Sequence, residues 1–184
     1  MANVDNPRGA RPVKRMDGGP VNVANKWSVD SSNGTAIFLG DFIKLEADGY
    51  VAPAAAGGSI LGVCVGVLGD YGDLTRRYLP ASTAGTILVC DDPWTIFEVQ
   101  EDSDSSALTF ANIGSNADIV AGSGSTTTGI SAHEIDSSDI KTAVAQLRII
   151  AAAPRADNAI GDQCDWWVMI NEHAFNDVAT GAGV

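Results

Sequence analysis

Short apolar runs that end at turn residues constrain the fold of this chain more than any other feature. From Trp27 onward these runs are rich in Val, Ile, Thr and aromatic residues, none is longer than Ile60–Leu68, and Gly, Pro, Asp or Asn separates them. Such runs are typical of strands, because helices need longer segments with a 3.6-residue period. The strong helix formers Leu, Lys and Glu are scarce. The sequence therefore predicts an all-β body, a compact β-sandwich or β-barrel.

Individual runs predict individual strands. Phe42–Leu45 and Tyr50–Val51 flank an Asp48-Gly49 pair, which favours a hairpin turn between them. Ile60–Leu68 contains Gly62 and Gly66, and glycine at such positions marks a bulge or the close approach of another backbone. The other runs predicted as strands are Thr35–Leu39, Thr86–Cys90, Thr95–Gln100 and Trp166–Asn171.

The sequence Asp91-Asp92-Pro93 could be an acid pair at an active site or a turn between two strands. The run before it, Thr86–Cys90, is apolar on both faces, whereas Thr95–Gln100 after it alternates and has one wetter side. Adjacent strand residues point to opposite faces, so the two carboxylates would not converge on one substrate atom. Aspartate and proline also have turn chemistry. We favour the turn.

The segment Ser138–Ile150 fits two structures. A capped helix would place Ile140, Val144 and Leu147 on one face, whereas the end of the segment alternates strictly and contains β-branched residues. We predict a strand from about Ala143.

Several partial motifs lack the residues that their chemistry requires. The acidic loop 101–106 could begin a calcium-binding loop at Asp102. Counted from Asp102, however, Ala107 and Ile113 occupy the positions where such a loop needs Gly and Glu. The loop GSTTTGIS has Ile130 where a phosphate-binding loop needs Lys. His133 and His173 have no matching metal ligands or nucleophile, so we expect each to be a surface or hydrogen-bonded residue. The sequence thus predicts no catalytic, metal or cofactor site, and no enzyme.

Cys64, Cys90 and Cys164 are odd in number and widely spaced, which indicates reduced, partly buried thiols rather than a disulfide framework or zinc site. The start of the sequence, MANVDNPRG, has no signal-peptide core. The longest apolar run has about half the length that a membrane span needs. We expect a soluble chain that is made in a cytoplasm.

Charge divides the chain into a basic arm and an acidic body. Residues 1–26 carry five bases and two acids, whereas the rest carries six bases and 21 acids. The arm is also rich in Pro and Gly and lacks a clear period, so we predict an extended segment that a partner orders, followed by a single β-rich domain at 27–184. The acidic body and the weak basic pattern argue against nucleic-acid binding.

The order of these pieces resembles the capsid decoration, or cement, proteins of tailed bacteriophages. The resemblance spans most of the chain and contains no catalytic motif. Its segments are MANVDNPRGARPVKRMDGGP, GDFIKLEADGYV, YLPASTAGTILVCDDPWTIFEVQED, NIGSNADIVAGSGSTTTGIS and QLRIIAAAPRADNAIGDQCDWWVMINEH.

This resemblance implies a structural virion protein on the outer surface of an icosahedral head, made in the bacterial host. Its partner would be the major capsid protein of the same phage, whose neighbouring subunits it would clamp, and it would act as a homotrimer. The bases that would contact the capsid are Arg8, Arg11, Lys14 and Arg15. The residues also suggest oligomerisation, since Ile60–Leu68 and Thr86–Cys90 are apolar on both faces, which a closed barrel, a sandwich or a subunit interface would cover.

The alternative is a carbohydrate- or receptor-binding β module on a phage particle. That function needs an exposed aromatic platform, for which Trp94 or the pair Trp166-Trp167 are the candidates. Burial of these residues in a core or a subunit interface is the simpler explanation. The candidate interface aromatics are Trp27, Trp94 and Trp166.

Overall fold

The structure is a computed structural model that describes residues 3–21, 24–68, 76–104 and 106–176. Its strands are β1 Arg11–Arg15, β2 Asn25–Val29, β3 Phe42–Leu45, β4 Val51–Pro53, β5 Gly62–Leu68, β6 Gly85–Cys90, β7 Thr95–Gln100, β8 Asn116–Ala117, β9 Ile119–Gly122, β10 Ala132–Ile135, β11 Leu147–Ala152 and β12 Asp165–Ile170. A short 3-10 helix covers Phe110–Asn112. Within the described ranges, no helix is long and apolar enough to cross a membrane. The predicted all-β class is confirmed.

Two five-stranded sheets and one hairpin form the body. The first sheet has the order β1-β7-β12-β11-β8, and the second has the order β2-β6-β5-β3-β4. Strands β9 and β10 pair separately. Strands β2 and β4 are the two edges of the second sheet and lie close to each other, so this sheet curls strongly.

The second sheet lies between two hydrophobic cores. Its residues Phe42 and Val63 pack in a first core with side chains of the first sheet such as Phe97 and Trp166. Their chain neighbours Ile43 and Cys64 pack in a second core inside the curled sheet. Strand side chains alternate between faces, so a sheet with a core on each side needs apolar residues at successive positions.

This arrangement explains why the runs around β5 and β6 are apolar on both faces. Val63, Cys64, Val89 and Cys90 are covered within the single chain, whereas Val65 of β5 is 37% exposed. The two cores thus explain part of the apolar pattern of these strands, and oligomerisation stays a prediction.

The predicted hairpin and the predicted glycine-interrupted strand are both present. Gly49 has a φ of 86°, and its N–H donates to the carbonyl of Glu46 in the turn between β3 and β4. A bulge lies between Cys64 and Gly66 in β5. A side chain at Gly62 would overlap the carbonyl of Cys90 on β6. Glycine therefore permits the close approach of these two strands.

Three strand predictions differ in detail from the structure. Residues 35–39 form only single bridges, at Ile37 and Leu39, instead of a continuous strand. Strand β11 begins at Leu147 and not near Ala143. Strand β7 has no wetter side, because all of its residues are buried between β1 and β12.

The N-terminal segment also differs from the sequence-based expectation. Its described residues include β1, which pairs with β7 as an edge strand of the first sheet, and Gly9 and Ala10, which are buried. The boundary predicted after residue 26 falls inside β2. The surface that orders β1 is supplied by the chain itself, through contacts to residues far away in sequence.

Candidate functional site

Basic residues of the N-terminal segment pair with acids of the first sheet. Arg8 Nη2 lies 2.5 Å from Asp165 Oδ2, and Arg11 Nη2 lies 2.6 Å from Glu98 Oε1. Arg155, from the loop between β11 and β12, contacts both carboxylates. Glu98 and Asp165 are buried. Three guanidinium groups thus neutralise two buried acids that would otherwise destabilise the fold.

Neither acid was recognised from the sequence as part of a site. Glu98 looked like a solvent-facing strand residue, because its neighbours alternate in polarity. Its partners Arg11 and Arg155 are 87 and 57 residues away along the chain. No local pattern carries information about contacts at that distance.

The other two predicted capsid-contacting bases also have partners within the chain. Arg15 Nη1 lies 2.7 Å from Asp92 Oδ2. Lys14 Nζ lies 4.3 Å from the centroid of the Trp167 ring, in a cation–π contact. Each of the four predicted capsid-contacting bases, Arg8, Arg11, Lys14 and Arg15, therefore has an intramolecular partner.

The predicted turn at Asp91-Asp92-Pro93 is present, and its two carboxylates serve different partners. Asp91 Oδ2 accepts a hydrogen bond from the indole Nε1 of Trp27 at 2.9 Å. Asp92 Oδ1 accepts one from the backbone N–H of Trp94 at 3.1 Å, which is a local turn contact. The two groups do not converge on a common substrate position.

The candidate tryptophans occupy three different environments. Trp166 is fully buried in the first core, so it is not at an interface. Trp27 is half-buried and its indole is hydrogen-bonded to Asp91. Trp94 is 50% exposed. Among these three residues, Trp94 alone is an exposed large apolar side chain.

Exposed apolar side chains lie at both ends of β1. Met16 and Trp94 lie together beside a cleft of about 360 Å³ at one end. Val65 and Ile130 line a groove of about 460 Å³ at the other end. Val13, also exposed, lies between them on β1. We call these five residues the β1 surface.

Strand β1 is built in a way that opposes pairing with another strand. It contains Pro12, and a bulge lies between Pro12 and Lys14. Its other residues include the charged Arg11 and Arg15. Proline, bulges and charges are features by which edge strands avoid edge-to-edge association. A partner would therefore meet the side chains of the β1 surface and not extend the sheet.

A buried carboxyl–imidazole pair lies elsewhere in the fold. His133 Nε2 is 3.5 Å from Asp41 Oδ1, and both side chains are almost fully buried. Burial raises the pKa of Asp41 to about 6 and lowers the pKa of His133 to about 4. His133 is hydrogen-bonded, as the sequence predicted, since its Nδ1 accepts from the N–H of Phe42 at 3.2 Å.

Among the described residues, one acidic group has the spacing of cation ligands. Carboxylate oxygens of Asp102, Asp104 and Asp136 all lie within 4.8 Å of one another. Asp102 Oδ1 already accepts hydrogen bonds from the backbone and hydroxyl of Ser137, and Asp136 Oδ1 accepts from Ser138. These hydrogen bonds explain why the three carboxylates lie close together: they hold the acidic loop against the turn that follows β10.

The three cysteines are buried and free, as predicted. Burial raises the pKa of the Cys64 thiol to about 12, which makes it a poor nucleophile at neutral pH. Compared with these buried thiols, the exposed β1 surface is the better candidate for a functional contact.

No protein-family model, no curated protein and no solved structure matches this chain.

Proposed function

We propose that this chain is a structural virion protein that decorates the outer surface of a tailed-phage head and stabilises contacts between major capsid subunits. The observation that carries the proposal is the β1 surface. It combines an exposed Trp and Met with aliphatic side chains, a composition typical of the centre of protein interfaces. The sequence resemblance described above supplies the kind of partner.

The pairing of the N-terminal bases changes the expected chemistry of attachment. Arg8 and Arg11 neutralise acids of their own chain, and Arg15 pairs with Asp92. Charges that are already paired add little attraction to a partner. Burial of apolar area, worth roughly 25 cal/mol per Å², is then the main favourable term. We therefore expect attachment that depends weakly on salt, in contrast to a contact made by free basic side chains.

Co-sedimentation of the purified protein with undecorated shells of the same phage's major capsid protein tests this function. Replacing Trp94 with Ala should weaken binding about tenfold or more, because exposed tryptophans often act as interface hot spots. Phe110→Ala is a matched control. Phe110 is also an exposed aromatic residue, but it lies beside β11 near the opposite edge of the first sheet.

Binding that is lost only in the Trp94 variant supports the proposal. Failure of the unmodified protein to bind shells at low and at high salt would contradict the decoration function. Equal binding by the Trp94 and Phe110 variants would contradict the assignment of the β1 surface.

The exposure of Trp94 also meets the main requirement of the alternative, a carbohydrate- or receptor-binding module. Under that alternative, the protein would bind glycans in an array and the Trp94 variant would not. A glycan-binding protein with no affinity for shells would favour the alternative over decoration.

A further inference from the structure

The loop after β2 carries the one asparagine of the sequence that is followed by glycine, Asn33 before Gly34. A turn presents this pair, because the N–H of Asn33 donates to the carbonyl of Asp30 at 3.2 Å. Asn33 is partly buried, whereas Gly34 is exposed. Beyond its chain neighbours, no heavy atom of the described residues lies within 4 Å of a Cβ built on Gly34. Solvent therefore reaches the peptide bond between the two residues.

The side chain of Asn33 is held by the backbone of Thr35. Its Oδ1 accepts a hydrogen bond from the N–H of Thr35 at 3.2 Å, and its Nδ2 donates to the carbonyl of Thr35 at 2.9 Å. These bonds fold the side chain forward over Gly34, as asparagine does in turns. The bond to Oδ1 also draws electron density from Cγ. A donor at this position stabilises negative charge that develops on Oδ1, as the donors of an oxyanion hole do.

The backbone nitrogen of Gly34 is a better nucleophile than that of an ordinary peptide bond. Its N–H donates no hydrogen bond within the described part of the chain, so no such bond has to break before the proton leaves. The carbonyl of the same peptide unit belongs to Asn33 and accepts from the N–H of Ser82 at 2.7 Å. Loss of the Gly34 proton places most of the negative charge on that oxygen. The Ser82 N–H therefore stabilises the deprotonated peptide unit.

Ser82 is held in a strained backbone conformation beside this pair. Its φ is 53°, in the left-handed region that residues other than glycine seldom adopt. Such a conformation persists where the surrounding structure fixes it. Here the backbones of Ile37 and Leu79 exchange hydrogen bonds of 2.8 and 2.9 Å and join the two loops. This bridge fixes the N–H of Ser82 relative to the carbonyl of Asn33.

We propose that Asn33-Gly34 is a self-modification site, at which the fold accelerates conversion of Asn33 through a cyclic imide into aspartate and isoaspartate. Hydroxide removes the proton of the Gly34 N–H, and the nitrogen then forms a bond to Cγ of Asn33. The Cγ–Nδ2 bond breaks, and Nδ2 leaves as ammonia with a proton from water. Water adds at either ring carbonyl and opens the ring. The net reaction is hydrolysis of the side-chain amide, without an oxidant or a reductant.

Two backbone N–H groups give the loop this reactivity. The N–H of Ser82 stabilises the nucleophile, and the N–H of Thr35 stabilises the oxyanion that forms on Asn33 Oδ1. Each product carries one more negative charge than Asn33 and has lost the donor to the Thr35 carbonyl. Isoaspartate also lengthens the main chain by a methylene group. This site does not depend on the decoration function, because its test uses the protein alone.

The test is incubation of the folded full chain in mildly alkaline buffer, followed by peptide mapping with mass spectrometry and quantification of isoaspartate. We expect Asn33 to gain the mass that replacement of NH2 by OH adds, and to react faster than the other asparagines of the chain. The same chain unfolded in guanidinium chloride lacks the contacts from Ser82 and Thr35 and is the control. Conversion of Asn33 should be at least about threefold faster in the folded chain. An Asn33 that stays unmodified, or that reacts no faster folded than unfolded, would overturn the proposal.

Variants at two positions assign the roles. Gly34→Ala places a methyl group beside the attacking nitrogen, at a position with open space around it, and should slow the conversion at least about tenfold. Thr35→Pro removes the N–H that stabilises the oxyanion and should slow it at least about threefold. Thr35→Ala keeps that N–H and should leave the rate unchanged. An unchanged rate in Gly34→Ala would contradict Gly34 as the nucleophile, and equal rates in folded Thr35→Pro and Thr35→Ala would contradict the role of the Thr35 N–H.

Discussion

At the scale of single residues, buried carboxyl groups are the feature that the sequence described least well. Glu98, Glu101 and Asp165 are all buried, although their sequence surroundings are polar or alternating. Glu98 and Asp165 have partners from distant parts of the chain, whereas Glu101 is bound by the nearby Ser103 and Leu108. Asp91 and Asp92, in contrast, were correctly placed in a turn, because aspartate before proline is a local signal.

Glu101 shows how such a group affects stability. Its Oε2 accepts a 2.6 Å hydrogen bond from the N–H of Leu108, and its Oε1 accepts one from the hydroxyl of Ser103. Burial raises the pKa of its carboxyl from 4.5 to about 7. The folded state therefore binds a proton more tightly than the unfolded chain, and this group makes the protein less stable as pH rises from about 4.5 to about 7.

We predict that Glu101→Gln removes this dependence. The amide keeps an oxygen that can accept from Leu108 but does not titrate. The free energy of unfolding of the unmodified protein, relative to the variant, should fall by up to about 3 kcal/mol between about pH 5 and about pH 8. Urea unfolding at several pH values measures this difference in free energy. Glu46→Gln, at the surface, is the control variant. A difference that is constant with pH would contradict a buried, titrating Glu101.

At the scale of elements, strands with local signals were predicted and strands with distant partners were not. The β3–β4 hairpin, β5, β6, β7 and β12 follow from apolar runs and turn residues. Strand β1 has Pro and three bases in five residues, which does not look like a strand. It forms because β7 offers a free edge and because Glu98 and Asp165 need cations.

We predict that the N-terminal segment stabilises the body through its contacts with the first sheet. Removing residues 1–16 takes Arg8 and Arg11 from the buried Glu98 and Asp165, at an expected cost of about 3 kcal/mol or more. Glu98→Gln in the shortened chain should recover part of this loss, because Arg155 then has one buried acid to neutralise instead of two. Thermal unfolding of the full chain, the shortened chain and the shortened Glu98→Gln chain measures these differences. An unfolding midpoint that is the same in the full and the shortened chain would show that the N-terminal segment does not make these contacts.

The close approach of β5 and β6 provides a prediction about packing. A Cβ atom at Gly62 would lie 2.8 Å from Val89 Cγ1 and would overlap the carbonyl of Cys90. Gly62→Ala should therefore cost about 3 kcal/mol of stability. Gly58→Ala, where nothing lies within 4 Å of the added atom, should change stability by less than about 1 kcal/mol. Similar stability of the two variants would show that β5 and β6 are farther apart than described.

At the scale of the whole molecule, one sheet with a core on each side explains the composition of the strands. The neighbours Val63 and Cys64 of β5, and Val89 and Cys90 of β6, enter different cores of the same chain. An all-β body could be predicted from the apolar runs, but which parts of the chain cover each face could not, because that depends on the curl of the second sheet. The β1 surface could not be predicted from the sequence either, because Val65 and Ile130 lie beside β1 only in the folded chain.

Folding of this body should not require assembly. We predict that the midpoint of urea unfolding is independent of protein concentration over about a hundredfold range, since both cores are complete within one chain. Light scattering of the same samples reports the oligomeric state, which the resemblance expects to be a trimer. A midpoint that rises with concentration would show that subunit contacts are part of the folded state.

The most direct measurement of the proposed function is a cryo-EM reconstruction of shells incubated with this protein. The account predicts additional density on the outer surface of the shell into which the two-sheet body fits, with Trp94 and Val65 of the β1 surface facing the major capsid protein. Density that places the β1 surface toward solvent would contradict the contact, and shells without additional density would contradict decoration itself.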